Sequence, residues 1–83
     1  MKAKEMFEAL GYELTFENEY TLTYTTKRFI SEEHQIEFYK NVKAFCSKVY
    51  SDSPFQGAKP FELDMQELKA INQQCKELGW LDE

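Results

Sequence analysis

The sequence predicts an α+β fold. An antiparallel β-sheet of three to five strands, arranged as a meander, carries an N- and a C-terminal helix on one face, in the order α-β-β-β-β-α. Three observations predict it. Apolar residues recur every three or four positions at both ends of the chain and every second position between them. Both helical ends close on a Leu-Gly-aromatic triplet, in EALGY and in KELGW. The chain has only 83 residues, the length of one small domain burying about 60–65% of its unfolded surface. Its amphipathic elements must therefore share one core, which seven Phe, five Tyr and one Trp are available to fill.

Residues 2–10 form the first helix, with Ala3, Met6, Phe7 and Leu10 on one side. Gly11 ends it in a left-handed conformation, and Tyr12 packs back on Phe7. The period then changes to two. Tyr12, Leu14 and Phe16 alternate with Glu13, Thr15 and Glu17, and Asn18 with its acidic neighbours makes a turn. Tyr20, Leu22 and Tyr24 then alternate with Thr21, Thr23 and Thr25. The result is a hairpin with one apolar face and one polar face, the threonines being the solvated row.

Residues 27–30 (Lys-Arg-Phe-Ile) extend the second strand or form a separate short piece, and Ser31 to His34, polar and acidic, read as a loop. Gln35 to Tyr50 fits two readings. As a helix it aligns Ile36, Tyr39, Val42, Phe45 and Val49; as a hairpin turning at Lys40-Asn41 it puts Ile36, Phe38, Phe45 and Val49 on one face. Enrichment in Phe, Tyr, Val and Ile, without a strong cap, favours the hairpin. Residues 51–60 contain both prolines and read as an irregular loop, with Phe61 to Leu63 extended. The closing helix is the most fully specified element. Asp64 and Glu67 have capping-box spacing, Leu63 and Leu68 can form a hydrophobic staple, and Leu68, Ile71, Cys75 and Leu78 line one face. Gly79 follows as the left-handed stop, and Trp80 folds back on Cys75, largely buried.

Net charge is −5, unevenly spread: residues 27–48 carry five Lys or Arg against three Glu, while both flanking regions are acidic. An acidic whole opposes general nucleic-acid binding. Two cysteines and an N-terminus without a long apolar run point to reduced thiols in a cytosol, with no membrane span. A nucleophile–base pair would need Cys46 or Cys75 with His34, the only histidine. Cys75 lies in a helix stripe and Cys46 in a strand, on the polar sheet face, so both read as structural, and His34 reads as an exposed loop residue. The cysteines and histidine lack zinc-ligand spacing, and the glycines at 11, 57 and 79 form no phosphate loop. No catalytic residue, cofactor or metal site is expected.

The opening MKAKEMFEALGYE and the closing MQELKAINQQCKELGW resemble small uncharacterised phage- and prophage-encoded proteins of Gram-positive bacteria. In these, a K-E-M-F-x-x-L-G-Y-like start and an E-L-K-A-I-x-x-Q-x-x-E-L-G-W-like end bracket a β-rich middle. The resemblance implies a phage origin and a place in the host bacterial cytoplasm, and it carries no activity with it. Cys75 stands where an aliphatic residue is expected there, which fits core packing.

The functional expectation is a non-enzymatic phage accessory protein that acts through protein–protein interaction, its partner a host or phage protein or a second copy of the chain. The candidate surface is the polar sheet face and the adjoining turn, represented by Thr21, Thr23, Glu37, Tyr39, Lys40 and Lys43. The alternative is a weak single-stranded nucleic-acid binder in which Tyr39 stacks a base and Lys27, Arg28, Lys40, Lys43 and Lys48 meet phosphates.

Overall fold

The computed structural model describes residues 1–29, 32–51 and 63–81, and within the strands all side chains but those of Arg28, Phe29 and Ser51. The element order is α1 (Ala3–Ala9), β1 (Glu13–Glu17), β2 (Thr21–Phe29), β3 (Glu32–Tyr39), β4 (Ala44–Ser51) and α2 (Met65–Glu77). The four strands form one antiparallel meander in the order β1-β2-β3-β4. Both helices lie on one face of it, as the sequence predicts.

Each helix stops for the same physical reason. Gly11 (φ 92°) and Gly79 (φ 77°) adopt left-handed conformations that a Cβ would strain. In α1 the N–H of Gly11 donates to Glu8 O and that of Tyr12 to Phe7 O, 3.0 and 2.9 Å away. In α2 Gly79 donates to Lys76 O and Trp80 to Cys75 O at the same two distances. These are paired Schellman motifs, which satisfy carbonyls the helix leaves open. At its start α2 has the expected capping box: the Asp64 carboxylate accepts from Glu67 N at 2.8 Å, and the Glu67 carboxylate from Asp64 N at 3.1 Å. In α1 no side chain of its own caps the start. Instead Glu77, at the end of α2, accepts from Ala3 N at 2.7 Å. The helices therefore run antiparallel, a carboxylate from one satisfying the N-terminus of the other.

The core is aromatic. Phe7 stacks on Tyr24 with centroids 4.0 Å apart and meets Tyr12 and Phe38 edge-on at 5.5 and 6.3 Å. Leu22, Ile36, Ala70, Ile71 and Cys75 complete it. Burial raises the Cys75 thiol's pKa, and it raises that of Tyr24 to about 12, with the charges of Glu77, Glu17 and Glu8 adding to it.

Several expectations are corrected. Residues 35–49 are strand and turn, so the helical reading is excluded, and β2 takes the extended option by running to Phe29. Glu32–His34 belong to β3, where they pair with Phe29, Lys27 and Thr26 of β2; His34 is a buried strand residue, 9% exposed, with Nε2 3.6 Å from the Glu32 carboxylate. The threonine row is not solvated: Thr23 and Thr25 are buried. Leu68 is 49% exposed and Leu63 is exposed too, so the staple buries neither residue. The inward face of α2 is Glu67, Ala70, Ile71, Gln74 and Cys75. Its two polar members are acceptors for aromatic hydroxyls: Tyr24 donates to Gln74 Oε1 at 2.7 Å, and Tyr12 to Glu67 Oε2. Trp80 is half-buried, packed on Phe38 at 6.1 Å. Of the expected loop, Ser51 ends β4 and 52–60 lie outside the described residues, as do Ile30, Ser31, Phe61 and Glu62.

Candidate functional site

The second face of the sheet carries no described element. Its residues follow from the strand register, because cross-strand partners share a face. One row is Thr21–Tyr39–Ala44; the next is Phe16–Thr23–Glu37–Cys46, then Thr25–Gln35–Lys48 and Lys27–Glu33–Tyr50. The first four candidate residues, Thr21, Thr23, Glu37 and Tyr39, therefore do stand on one face. Thr21 is half-buried and Thr23 buried, so they support this surface more than they present it.

Phe16 is on this face because of a β-bulge. Leu14 pairs with Tyr24, but Phe16 pairs with Thr23, which leaves Thr15 as the extra residue. Thr15 Oγ1 lies 2.7 Å from Thr25 Oγ1, on the open side. The shift by one position carries Phe16 out of the predicted core and leaves it 51% exposed.

At the centre is a polar cluster built on β3 and β4. The Glu37 carboxylate accepts from the Tyr39 hydroxyl at 2.7 Å and from Lys48 Nζ at 3.2 Å, and the same hydroxyl lies 3.2 Å from Cys46 Sγ. Hydrogen bonding to Cys46 and Glu37 pushes the Tyr39 hydroxyl up to about 12, and the Glu37 carboxylate raises the Lys48 ammonium. Tyr39, Glu37 and Lys48 thus hold one another in fixed orientations. Cys46, expected on this face, and Lys48, expected in the basic set, complete this cluster from their places opposite Glu37 and Gln35 in the hairpin.

Lys40 and Lys43 lie in the turn between β3 and β4, off the sheet. Lys40 Nζ reaches Glu17 at 3.3 Å and the Asn18 carbonyl at 2.9 Å, joining this turn to the one between β1 and β2. That neighbouring turn is set by Asn18, whose side-chain oxygen accepts from the N–H of Tyr20 and of Thr21, each at 2.8 Å. Lys43 is exposed and has φ 53°, the left-handed value that closes its own turn. The two lysines have structural tasks, and the pairings with Glu17 and Glu37 divide the basic set predicted from sequence.

Elsewhere, a cleft of about 250 Å³ is lined by Met1, Met6, Ala9, Leu10 and Gln66, none of which carries an ionisable side chain. Among the described residues no group of His, Cys, Asp and Glu is arranged to hold a metal ion, and no helix is long and apolar enough to cross a membrane. Comparison with protein-family models, with curated proteins and with solved structures finds no match to this chain.

Proposed function

We propose that this chain is a non-enzymatic interaction module that binds a partner protein through the open face of its sheet. The observation that carries the reading is the pairing of exposed rings with an oriented polar cluster. Phe16 and Tyr50 stand exposed on the same face as the Tyr39–Glu37–Lys48 network, Tyr50 two residues from Lys48 on β4 and Phe16 across Thr23 from Glu37. Aromatic residues are enriched at protein interfaces, and a side-chain network already held in place loses little freedom on binding. The thiols fit the same reading: Cys75 is buried in an apolar core, and Cys46 faces a tyrosine hydroxyl and pairs with Glu37. Neither has the electropositive, accessible surroundings that a nucleophilic cysteine needs.

The resemblance of both chain ends to phage and prophage proteins gives the module its setting, as an accessory factor acting on a host protein in the bacterial cytoplasm. The test is affinity capture from a Gram-positive host lysate, comparing the wild-type chain with a Phe16→Ser/Tyr50→Ser variant of unchanged circular dichroism. The expected result is one discrete host protein retained by the wild type and lost by the variant. Retention unaffected by the double substitution would refute the assignment to this face.

A further inference from the structure

The sheet has two edges, and they are built differently. β1 has five residues, a glutamate at each end, and the bulge at Thr15. Short length, charge and bulging are the devices that stop an edge strand from pairing with another chain. In β4 there are eight residues in unbroken register with β3, no proline, and one charged side chain, Lys48, already paired with Glu37. The helices stack their rings on β2 and β3, so the same-side residues of β4 project past them: Phe45 is 43% exposed, and Ser47 and Val49 are half-buried. Tyr50 is 49% exposed on the opposite face. Among the described residues one edge is protected, and no strand or helix pairs with the other, which is largely apolar.

We infer that β4 pairs antiparallel with β4 of a second copy, joining two four-stranded sheets into one continuous sheet. The strand's own sequence selects the register. In an isologous antiparallel pair the two-fold axis passes through a residue that faces its own copy, because partners must share a sheet face. Centring on Lys48 sets two ammonium groups against each other, which is destabilising. Centring on Cys46 sets Phe45 against Ser47 and Ala44 against Lys48. Centring on Ser47 pairs Phe45 with Val49 twice, Cys46 with Lys48 twice and Ala44 with Tyr50 twice, using every residue from 44 to 50. Centring on Phe45 sets ring against ring but pairs only residues 44–46 of the strand; the Ser47 register matches the exposed ring with an apolar partner, separates the lysines and keeps the strand paired along its length. It also makes the two open faces contiguous, doubling the surface offered to a partner protein.

Sedimentation velocity on the full chain over a concentration series tests this. The expected result is a reversible monomer–dimer equilibrium with a micromolar dissociation constant, as fits a contact of one strand's length. Ser47→Glu puts two carboxylates face to face at the axis and weakens the dimer roughly two- to five-fold. As an independent readout, a Cys46→Ser/Ser47→Cys protein should be linked to dimer by a short bis-maleimide, and a Cys46→Ser/Val42→Cys protein should not. A wild-type chain that stays monomeric throughout, or linking from position 42 as efficient as from 47, would overturn the inference.

Discussion

The hydroxyl of Tyr12 and the carboxylate of Glu67 join the end of α1 to the first turn of α2 across 55 positions of sequence. Tyr12 is 2% and Glu67 1% exposed, so the contact is made away from water. Removing one partner of a buried hydrogen bond leaves the other unsatisfied, at a cost of about 1–3 kcal/mol. Tyr12→Phe should therefore cost about 2–3 kcal/mol. Glu67→Leu should cost about 3–4 kcal/mol, since it also removes the acceptor for Asp64 N, a capping loss of about 1 kcal/mol. In a domain of this size each kcal/mol lowers Tm by about 4–8 °C, so both variants are easily measured. The double variant replaces both partners of this bond with apolar groups and should be only about 1 kcal/mol less stable than wild type, the size of the capping loss. A double-mutant cycle from urea titrations should give a coupling of about 4 kcal/mol, the summed single losses less what the double variant still loses. Additive losses, with coupling near zero, would refute the idea that this buried pair holds the helices in register.

Other expectations follow from the same structure. Unfolded tyrosine keeps its proton up to about pH 10, and folded Tyr24 keeps it to about pH 12. Unfolding therefore releases a proton between those values, and stability, intact below pH 10, should fall across the window by on the order of 2–3 kcal/mol from this residue; urea midpoints should show this slope, and Tyr24→Phe should remove its share and leave that of Tyr39, whose hydroxyl is also raised to about 12. Trp80 is half-buried, so Trp80→Ala should cost about 2 kcal/mol, below the usual 3–5 kcal/mol of a fully buried ring, and its fluorescence should be only partly shielded from iodide. At Gly79 an added Cβ meets nothing within 4 Å, so Gly79→Ala should lower stability by about 1 kcal/mol through its left-handed backbone alone. Lys43→Gly relieves the same conformation in a non-glycine residue and should raise the urea midpoint slightly. Because Lys40 and Lys48 are paired with Glu17 and Glu37, single-stranded oligonucleotides should not bind even at about 50 mM salt, where phosphate contacts are strongest; retention in a gel-shift assay that falls steeply with salt would revive the nucleic-acid reading.

The sequence was most legible where one local rule sufficed. Gly11 and Gly79 announce their helix ends because few other residues tolerate the backbone there, and Asp64 with Glu67 announces a start through a fixed spacing. Alternation marked the strands well enough to favour the second hairpin over a helix. Hydrophobic periodicity misled where a polar side chain is buried for a partner's sake. Glu67 and Gln74 face inward because Tyr12 and Tyr24 carry hydroxyls into the core, and an apolar stripe cannot register that demand. The signal was present in another form: two tyrosines on an apolar face require two acceptors, and residues seven apart on one helix face supply them. Glu32 to His34 lacked apolar residues and so read as a loop, whereas their pairing to β2 and β4 makes them strand.

Phe16 is the residue where the fold and the proposed site cannot be separated. Regular pairing beyond Leu14 would set Phe16 opposite Leu22 on the covered face, continuing the alternation of Tyr12 and Leu14. The bulge gives that position to Glu17 instead. What the covered face receives is a carboxylate bonded to Lys40, a largely exposed pair contributing at most about 1 kcal/mol. What it forgoes is burial of a phenyl ring, about 1.5–3 kcal/mol when complete and roughly half that for a ring already half-covered. Stability of the isolated chain gives no net reason for the exchange. Departures from local rules without a stability gain concentrate at functional positions, where the structure serves something outside itself. The ring that the bulge turns outward lies in the same row as Thr23, Glu37 and Cys46, on the face assigned to the partner. The physical cost at Phe16 is thus an argument for that face independent of its composition.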